Sequence, residues 1–186
     1  FSNTTGLYGG GEYTDENRRK VVAEALDIDE KILPTKPTLP YNVIIDKINS
    51  GEIKALWIVA TNPIVSWINN LDFKKAAEKL EFLVVQDIYS DTDTARYCDL
   101  FLPSTNGLKK EGVIINTERR LSKLDPVLPK MENELSDYDI ALGIGEALGM
   151  GKLLDKWRTP EIAFNTIKQC TKGSPCDITG VTYENL

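Results

Sequence analysis

The sequence contains no histidine. That absence removes Ser-His and Cys-His nucleophile pairs and every histidine-ligated metal site. Cysteine is scarce as well: Cys98, Cys170 and Cys176 complete the set. An odd number at wide spacing makes no secreted disulfide framework, and without a CxxC it makes no zinc or iron–sulfur pattern. We expect reduced thiols in a cytoplasmic protein, with Cys98 a buried, inert thiol beside an aromatic residue. No apolar run approaches about 18 residues, so no membrane span is expected. Positive charge is in deficit, with 22 Lys plus Arg against 28 Asp plus Glu and a formal net charge of -6. A nucleic-acid partner needs clustered positive charge and is therefore not expected. The motifs GxGxxG after a strand and GxxxxGK[ST] are also missing, so neither ordinary nucleotide fingerprint is met.

What is present suits a globular α/β protein. The chain has 186 residues, 41% of them hydrophobic and 27% charged, which fits one domain or two. It opens on Phe1 rather than Met, so a processed or excised piece of a longer protein is expected. The Gly-rich opening FSNTTGLYGGGEYT reads as loop over residues 1–13. Thr14 is placed to cap a helix whose Val21, Val22, Ala25 and Leu26 share one face. ILPTKPTLP (32–40) is a Pro-punctuated connector; a short helix with Val43, Ile44 and Ile48 inward follows it and ends before Gly51.

Three short unbroken apolar runs come next: ALWIVA (55–60), FLVV (82–85) and DLFLP (99–103). Such runs predict strands covered on both faces, as in parallel sheets. A helix through FKKAAEKL (73–80), capped by Asp72, separates the first two, and a helical turn near Thr92–Arg96 separates the last two. This succession predicts an open, mainly parallel, Rossmann-like sheet with helices on both faces. VIINTERRLSKL (113–124) reads as irregular or β, and a helix runs from Ser136 to Gly149. Thr159-Pro160 opens a last helix, and the tail KGSPCDITGVTYENL reads as loop. The α/β domain is thus expected over 14–150, with a helix and linker over 151–186.

Ligands of open α/β sheets collect outside the carboxyl ends of the strands. Here those ends carry Thr61-Asn62-Pro63 and Gln86-Asp87. The amides of Asn62 and Gln86 donate and accept, and a carboxylate such as Asp87 can accept two N–H bonds from a guanine edge. Asp87 suits a helix cap equally well, and Asn62-Pro63 suits a simple turn. Lys110 is able to meet a phosphate or to sit on a solvated turn. Asp137 stands where a helix dipole favours a carboxylate whatever its function. Read this way, the residues point to a nucleotide-like site, and they supply no catalytic base, nucleophile or metal set.

Taken together, ALWIVATNP, FLVVQDIYSDTDTARYCDLFLP and KKEGVIINTERR resemble the molybdopterin oxidoreductases of the dimethyl-sulfoxide-reductase type, over about residues 52–149. Within that family the blocks are most similar to assimilatory or cytoplasmic nitrate reductases, through Trp57 with ATNP and the length of QDIYSDTDT; formate dehydrogenase catalytic subunits come second. The resemblance implies a bis-molybdopterin guanine dinucleotide cofactor carrying molybdenum, one 4Fe-4S cluster, and two-electron reduction of nitrate to nitrite. By position it implies cofactor contacts at Asn62, Gln86, Asp87, Thr92, Lys110 and Asp137, with Asp87 on the guanine. The cluster cysteines, the molybdenum ligand and a C-terminal β-barrel of the family fall outside this sequence. The expected partners are therefore the other domains of a longer enzyme, an electron-donor protein and a small anion such as nitrate. The chain by itself is expected to be inactive, and its opening and last ten residues to be loosely held. The other reading open at this point is a stand-alone α/β protein that binds a purine nucleotide.

Overall fold

The computed structural model describes residues 6–186; residues 1–5, the front of the expected Gly-rich loop, lie outside the described residues. In chain order the elements are α1 (Glu16–Leu26), α2 (Tyr41–Asn49), β1 (Ala55–Val59), α3 (Pro63–Ser66), α4 (Asn70–Ala77), β2 (Phe82–Asp87), β3 (Leu100–Pro103), β4 (Gly112–Ile115), β5 (Leu121–Leu124), α5 (Asp137–Ala147), α6 (Gly151–Leu154) and α7 (Pro160–Cys170). Two compact units form. One, the sheet unit, holds Leu39–Lys109 and Leu128–Ala141, and the other holds the remainder. The expected span 14–150 is shared between them.

The sheet unit is an α/β layer. β1, β2 and β3 pair in parallel and lie in sequence order. Alternation along each strand sends Ile58, Leu83 and Val85 to one face. There they join Ile45 and Ile48 of α2 and Phe73, Ala76 and Ala77 of α4 in one buried cluster. Full burial of an Ile, Leu or Phe contributes about 1.5–3 kcal/mol, so this cluster holds the unit together. Ile45 and Ile48 are the buried positions of α2, while Val43 and Ile44 are half-buried, so the helix is turned from its expected facing. α4 starts earlier than expected: Asn69 takes the cap position in the left-handed region (φ 58°), and Asp72 sits in the first turn. Asn tolerates that backbone conformation better than most residues.

The other sheet face is more open than the apolar runs predict. Trp57, Phe82 and Leu100 are 41%, 44% and 43% exposed. An unbroken apolar run reports that both faces are apolar; it does not supply the element that covers the second. At the carboxyl end of this face Gln86 is buried, where it meets the start of α5. The helical turn expected near 92–96 is a single 3-10 turn over Ala95–Tyr97.

In the second unit β4 and β5 form an antiparallel hairpin over the segment that read as irregular or β. Asn116 closes its turn, accepting Arg119 N on its carbonyl and Arg120 N on Oδ1, with Arg119 at φ 63°. Asp15, not Thr14, caps α1, accepting from Asn17 N and Arg18 N at 2.9 and 3.1 Å. Thr159 caps α7 through Ile162 N at 3.2 Å, with Pro160 in the first turn, as expected. The described part of the opening is packed, against expectation. Leu7 is buried, Gly9 (φ 75°) presses on the end of α7, and Arg18 donates to the carbonyls of Gly10, Cys170 and Lys172. The tail is packed too: Tyr183 is buried and its hydroxyl donates to Glu111 Oε1 at 2.7 Å. Cys170 is fully buried, whereas Cys98 is only half-buried; all three cysteines are unpaired. Among the described residues no helix is long and apolar enough to cross a membrane.

Candidate functional site

Parallel strands in sequence order bring three carboxyl ends side by side. The ladder continues one step past β1 and past β3: Ala60 N donates to Gln86 O at 2.9 Å and Ser104 N to Asp87 O at 3.0 Å. The chain leaves each strand in irregular backbone whose side chains line the sheet's end. Ala60 leaves β1 at φ 51°, a left-handed conformation that costs a non-glycine residue roughly 1–2 kcal/mol. This strain sits two residues before Asn62, and nothing in the residue types signals it.

Asn62 occupies the cap position of α3 but makes no capping bond there. Its Oδ1 instead accepts from Thr94 N at 3.1 Å and from Thr94 Oγ1 at 2.5 Å. Thr94 is fully buried and its hydroxyl also accepts from Ile64 N at 3.3 Å. Thr92 works locally, accepting from Ala95 N at 3.2 Å to start the 3-10 turn. The residue that ties the β2–β3 connection to Asn62 is therefore Thr94, which sequence reading did not single out. With Oδ1 engaged, the Asn62 amide offers N–H donors at the strand end.

Gln86 and Asp137, far apart in sequence, meet in space. Ser136 and Asp139 form a reciprocal capping box at the start of α5. Ser136 Oγ accepts from Asp139 N at 3.2 Å, and Asp139 Oδ2 accepts from Ser136 N at 2.8 Å and Ser136 Oγ at 2.7 Å. That box fixes the first residue of the helix, and Asp137 Oδ1 accepts from Gln86 Nε2 at 2.8 Å. The contact sets the amide's orientation, because a flipped Gln86 would turn its oxygen against a carboxylate. Gln86 Oε1 then has no partner, although the residue is only 1% exposed. Ser104 Oγ and Thr105 Oγ1, each in a residue 7% exposed, also lack one. Among the described residues these are the buried side-chain polar atoms without a hydrogen bond. All three stand at the carboxyl ends of β2 and β3. Leaving such an atom unpaired costs about 1–3 kcal/mol, and native structures hold few of them. The strand-end rule that selected Asn62 and Gln86 applies equally to Ser104-Thr105, directly after DLFLP, and would have found them.

Asp87 lies on the opposite pleat from Gln86. The two do not face one ligand edge as a pair. Asp87 is half-buried, and its Oδ1 accepts from Ile88 N at 2.6 Å, with Tyr89 N at 3.5 Å. One carboxylate oxygen thus serves the local turn. Lys110 is half-buried in the other unit, just ahead of β4. Its neighbour Lys109 bonds both oxygens of Glu134 at 2.6 Å and holds that carboxyl below the usual carboxylate range. Among the described residues no group of three or more His, Cys, Asp or Glu could hold a metal ion.

The family model of the molybdopterin oxidoreductases matches residues 5–147, from the Gly-rich opening through α5. The assimilatory nitrate reductase catalytic subunit of Bacillus subtilis is 31% identical over 180 residues, 97% of this chain and 25% of that protein. The F420-dependent formate dehydrogenase 1 subunit alpha of Methanococcus maripaludis is 32% identical over 135 residues, 73% of this chain and 19% of that protein. Among solved structures, the acetylene hydratase of Pelobacter acetylenicus shares the fold with a TM-score of 0.61 at 14% identity, over 92% of this chain and 24% of that one. The chain therefore spans about a quarter of the nitrate reductase subunit it matches. The family model covers most of the chain, including every strand and each of the strand-end residues described above, and the chain belongs to the molybdopterin oxidoreductase family.

Proposed function

We propose that this chain supplies part of the guanine-dinucleotide site of a bis-molybdopterin guanine dinucleotide cofactor, in a longer enzyme that reduces nitrate to nitrite. The observation that carries the reading is the set of three orphaned buried polar atoms at the ends of β2 and β3. Amides, hydroxyls and carboxylates fit the hydrogen-bonding edges of a purine or pterin. Asp87 accepts N–H bonds from guanine on the oxygen its turn leaves over. Gln86 and Asp137 form the rigid floor of the site, and Asn62, held by Thr94, presents amide donors beside it. Thr92 shapes the connection that carries Thr94, and Lys110, in the other unit, keeps the cofactor role that its match to the family's motif implies. When bound, the cofactor supplies two-electron chemistry at molybdenum. This chain's residues orient and retain it.

The ligands of molybdenum, the 4Fe-4S cluster and the surface for the electron-donor protein belong to other parts of the enzyme, which we assign to the cytoplasm. The chain by itself is inactive in this reading. Nitrate is favoured over formate because Trp57 with ATNP and the length of QDIYSDTDT resemble nitrate reductases. The enzyme containing this chain, purified anaerobically, tests the reading. Mild acid hydrolysis is expected to release a pair of guanine nucleotides per molybdenum, and reduced methyl viologen to be oxidised on adding nitrate. Formate-dependent dye reduction in place of nitrate reduction would move the substrate assignment. Molybdenum without any guanine nucleotide would overturn the site.

A further inference from the structure

We propose that residues 128–135 form a flap over the exit of β3, latched shut by the Lys109–Glu134 ion pair, and that the flap opens to admit ligand to the sheet's carboxyl end. The inference rests on the strand-end site proposed above and adds a moving part to it. The latch residues and the whole flap lie in the sheet unit. The flap sequence, LPKMENEL, leaves seven of its eight side chains exposed, among them Leu128, Met131 and Leu135; Glu134 is the exception, half-buried. None of the eight residues belongs to the core cluster of the unit. A segment that buries no apolar side chain gains little from the hydrophobic effect and opens at low cost.

Polar bonds hold the flap instead. Leu128 N donates to Leu108 O at 3.0 Å, and Lys130 Nζ to Asp139 Oδ2 at 2.6 Å. At the far end Leu135 O accepts from Thr105 N at 2.8 Å, which lays the flap against the buried exit of β3. Between these ties the chain makes a turn: Glu134 N donates to Met131 O at 3.0 Å, and Met131 N to Glu134 Oε2 at 2.8 Å. The turn aims the Glu134 carboxylate at Lys109, whose Nζ bonds both oxygens at 2.6 Å. The Lys109 and Glu134 side chains are 16% and 23% exposed, against 37% and 36% for Lys130 and Asp139. Water and salt screen the less exposed pair less, so it is the stronger of the two ionic ties. The capping box and the buried Ser136 fix the residues that follow, so the motion ends at the start of α5.

NMR on the 186-residue chain tests the proposal, through native-state amide exchange and the lineshape kinetics of added GMP. The amides of Leu128 and Thr105, each bonded across the flap's edge, should exchange together, faster than those of β2 and with little dependence on urea. Lys109→Met keeps the aliphatic stem and removes the ammonium, and Glu134→Gln keeps an acceptor for Met131 N and removes the charge. Either variant should speed exchange at Leu128 and Thr105 about ten-fold or more, because two charge-assisted bonds are lost. GMP should then associate and dissociate faster by a similar factor, since the open fraction limits both rates. Leu128 and Thr105 amides that exchange only with global unfolding, at the rate and urea dependence of β2, would overturn the flap. Unchanged exchange at these two amides in both variants would overturn the latch. Faster exchange with unchanged GMP rates would overturn the gate and leave the strand-end site standing. Failure of the wild type and both variants to bind GMP at millimolar concentration would overturn the strand-end site and the gate with it.

Discussion

Replacing Gln86 by Glu turns the buried amide donor into a second carboxyl, 2.8 Å from Asp137 Oδ1 by the wild-type geometry. Two outcomes compete. With both groups ionised, two unit charges at that separation repel by about 6 kcal/mol at an effective dielectric constant of 20. Alternatively the folded variant keeps a proton on the pair, which lets the new carboxyl donate an O–H to Asp137 and replace the lost N–H. Keeping that proton costs about 1.4 kcal/mol for each pH unit above the unfolded Glu value of about 4.3, so about 3.7 kcal/mol at pH 7. Protonation is the cheaper route until roughly pH 8.7 on these figures. The folded-state pKa is thus raised, and the sign follows: stability relative to wild type is retained below about pH 4.3 and lost as pH rises. Urea unfolding of both proteins at pH 5, 6, 7 and 8 measures it. The gap should widen from about 1 kcal/mol at pH 5 to about 4 kcal/mol at pH 7, a large share of a typical domain's stability. A gap that stays constant across this range would show that Gln86 and Asp137 are not paired.

Other positions give separate expectations. Asp87→Asn keeps an acceptor for Ile88 N, so the turn and the melting temperature should hold while GMP affinity falls about ten-fold or more; unchanged affinity would leave Asp87 a turn residue only. Gly9→Ala forces a side chain onto positive φ, with its Cβ 2.4 Å from the backbone of Cys170, and should cost about 2–4 kcal/mol in urea unfolding; a neutral effect would refute that close approach. Burial, opposed by nearby Arg18, pushes the Cys170 thiol up to about 11. Iodoacetamide at pH 8 should therefore label Cys170 only after unfolding, and rapid native labelling would contradict it. The Thr179 hydroxyl, the Thr179 amide and the Gly173 amide hold Asp177 down to about 2. A depressed pKa means that the contribution to stability is present above about pH 3.9 and is lost as pH falls through about 2. An NMR titration of the Asp177 carboxyl should show that low midpoint, and a midpoint near 4 would refute it.

Strand positions and element types were legible in the sequence because unbroken apolar runs have few other uses. The cap of α7 was equally legible, since Thr-Pro has one clear reading at a helix start. Helix facing and starts were less so: α2 buries Ile45 where Val43 and Ile44 also compete, and Asn69 displaces Asp72 as the cap of α4 through a backbone conformation no composition announces. At the site, Asn62, Gln86 and Asp87 could be placed by strand-end logic. The pairing of Gln86 with Asp137 could not, because nothing local couples β2 to a helix start 51 residues away. Thr94 was hidden for a related reason. Thr92 and Thr94 are chemically identical in sequence, and only the backbone turn decides which one reaches Asn62.

The pleat of β2 separates two tasks that one strand carries. Leu83 and Val85 point into the core with α2 and α4, where burial holds the unit together. Gln86 points the other way and, with Ser104 and Thr105, leaves three polar atoms unpaired, each a cost of about 1–3 kcal/mol. A chain gains nothing in stability by keeping such a set, so the core on one face offsets a cost placed on the other. The division has a consequence for substitution. Changes at Ser104 or Thr105 should alter ligand binding while the core melts as before, and changes at Leu83 or Val85 should unfold the sheet without selecting among ligands. Asp87 is the exception: it lies on the core-facing pleat, closes its own turn through Ile88, and still offers an oxygen at the strand end. There, as at Gln86, the demands of fold and ligand fall on the same side chain.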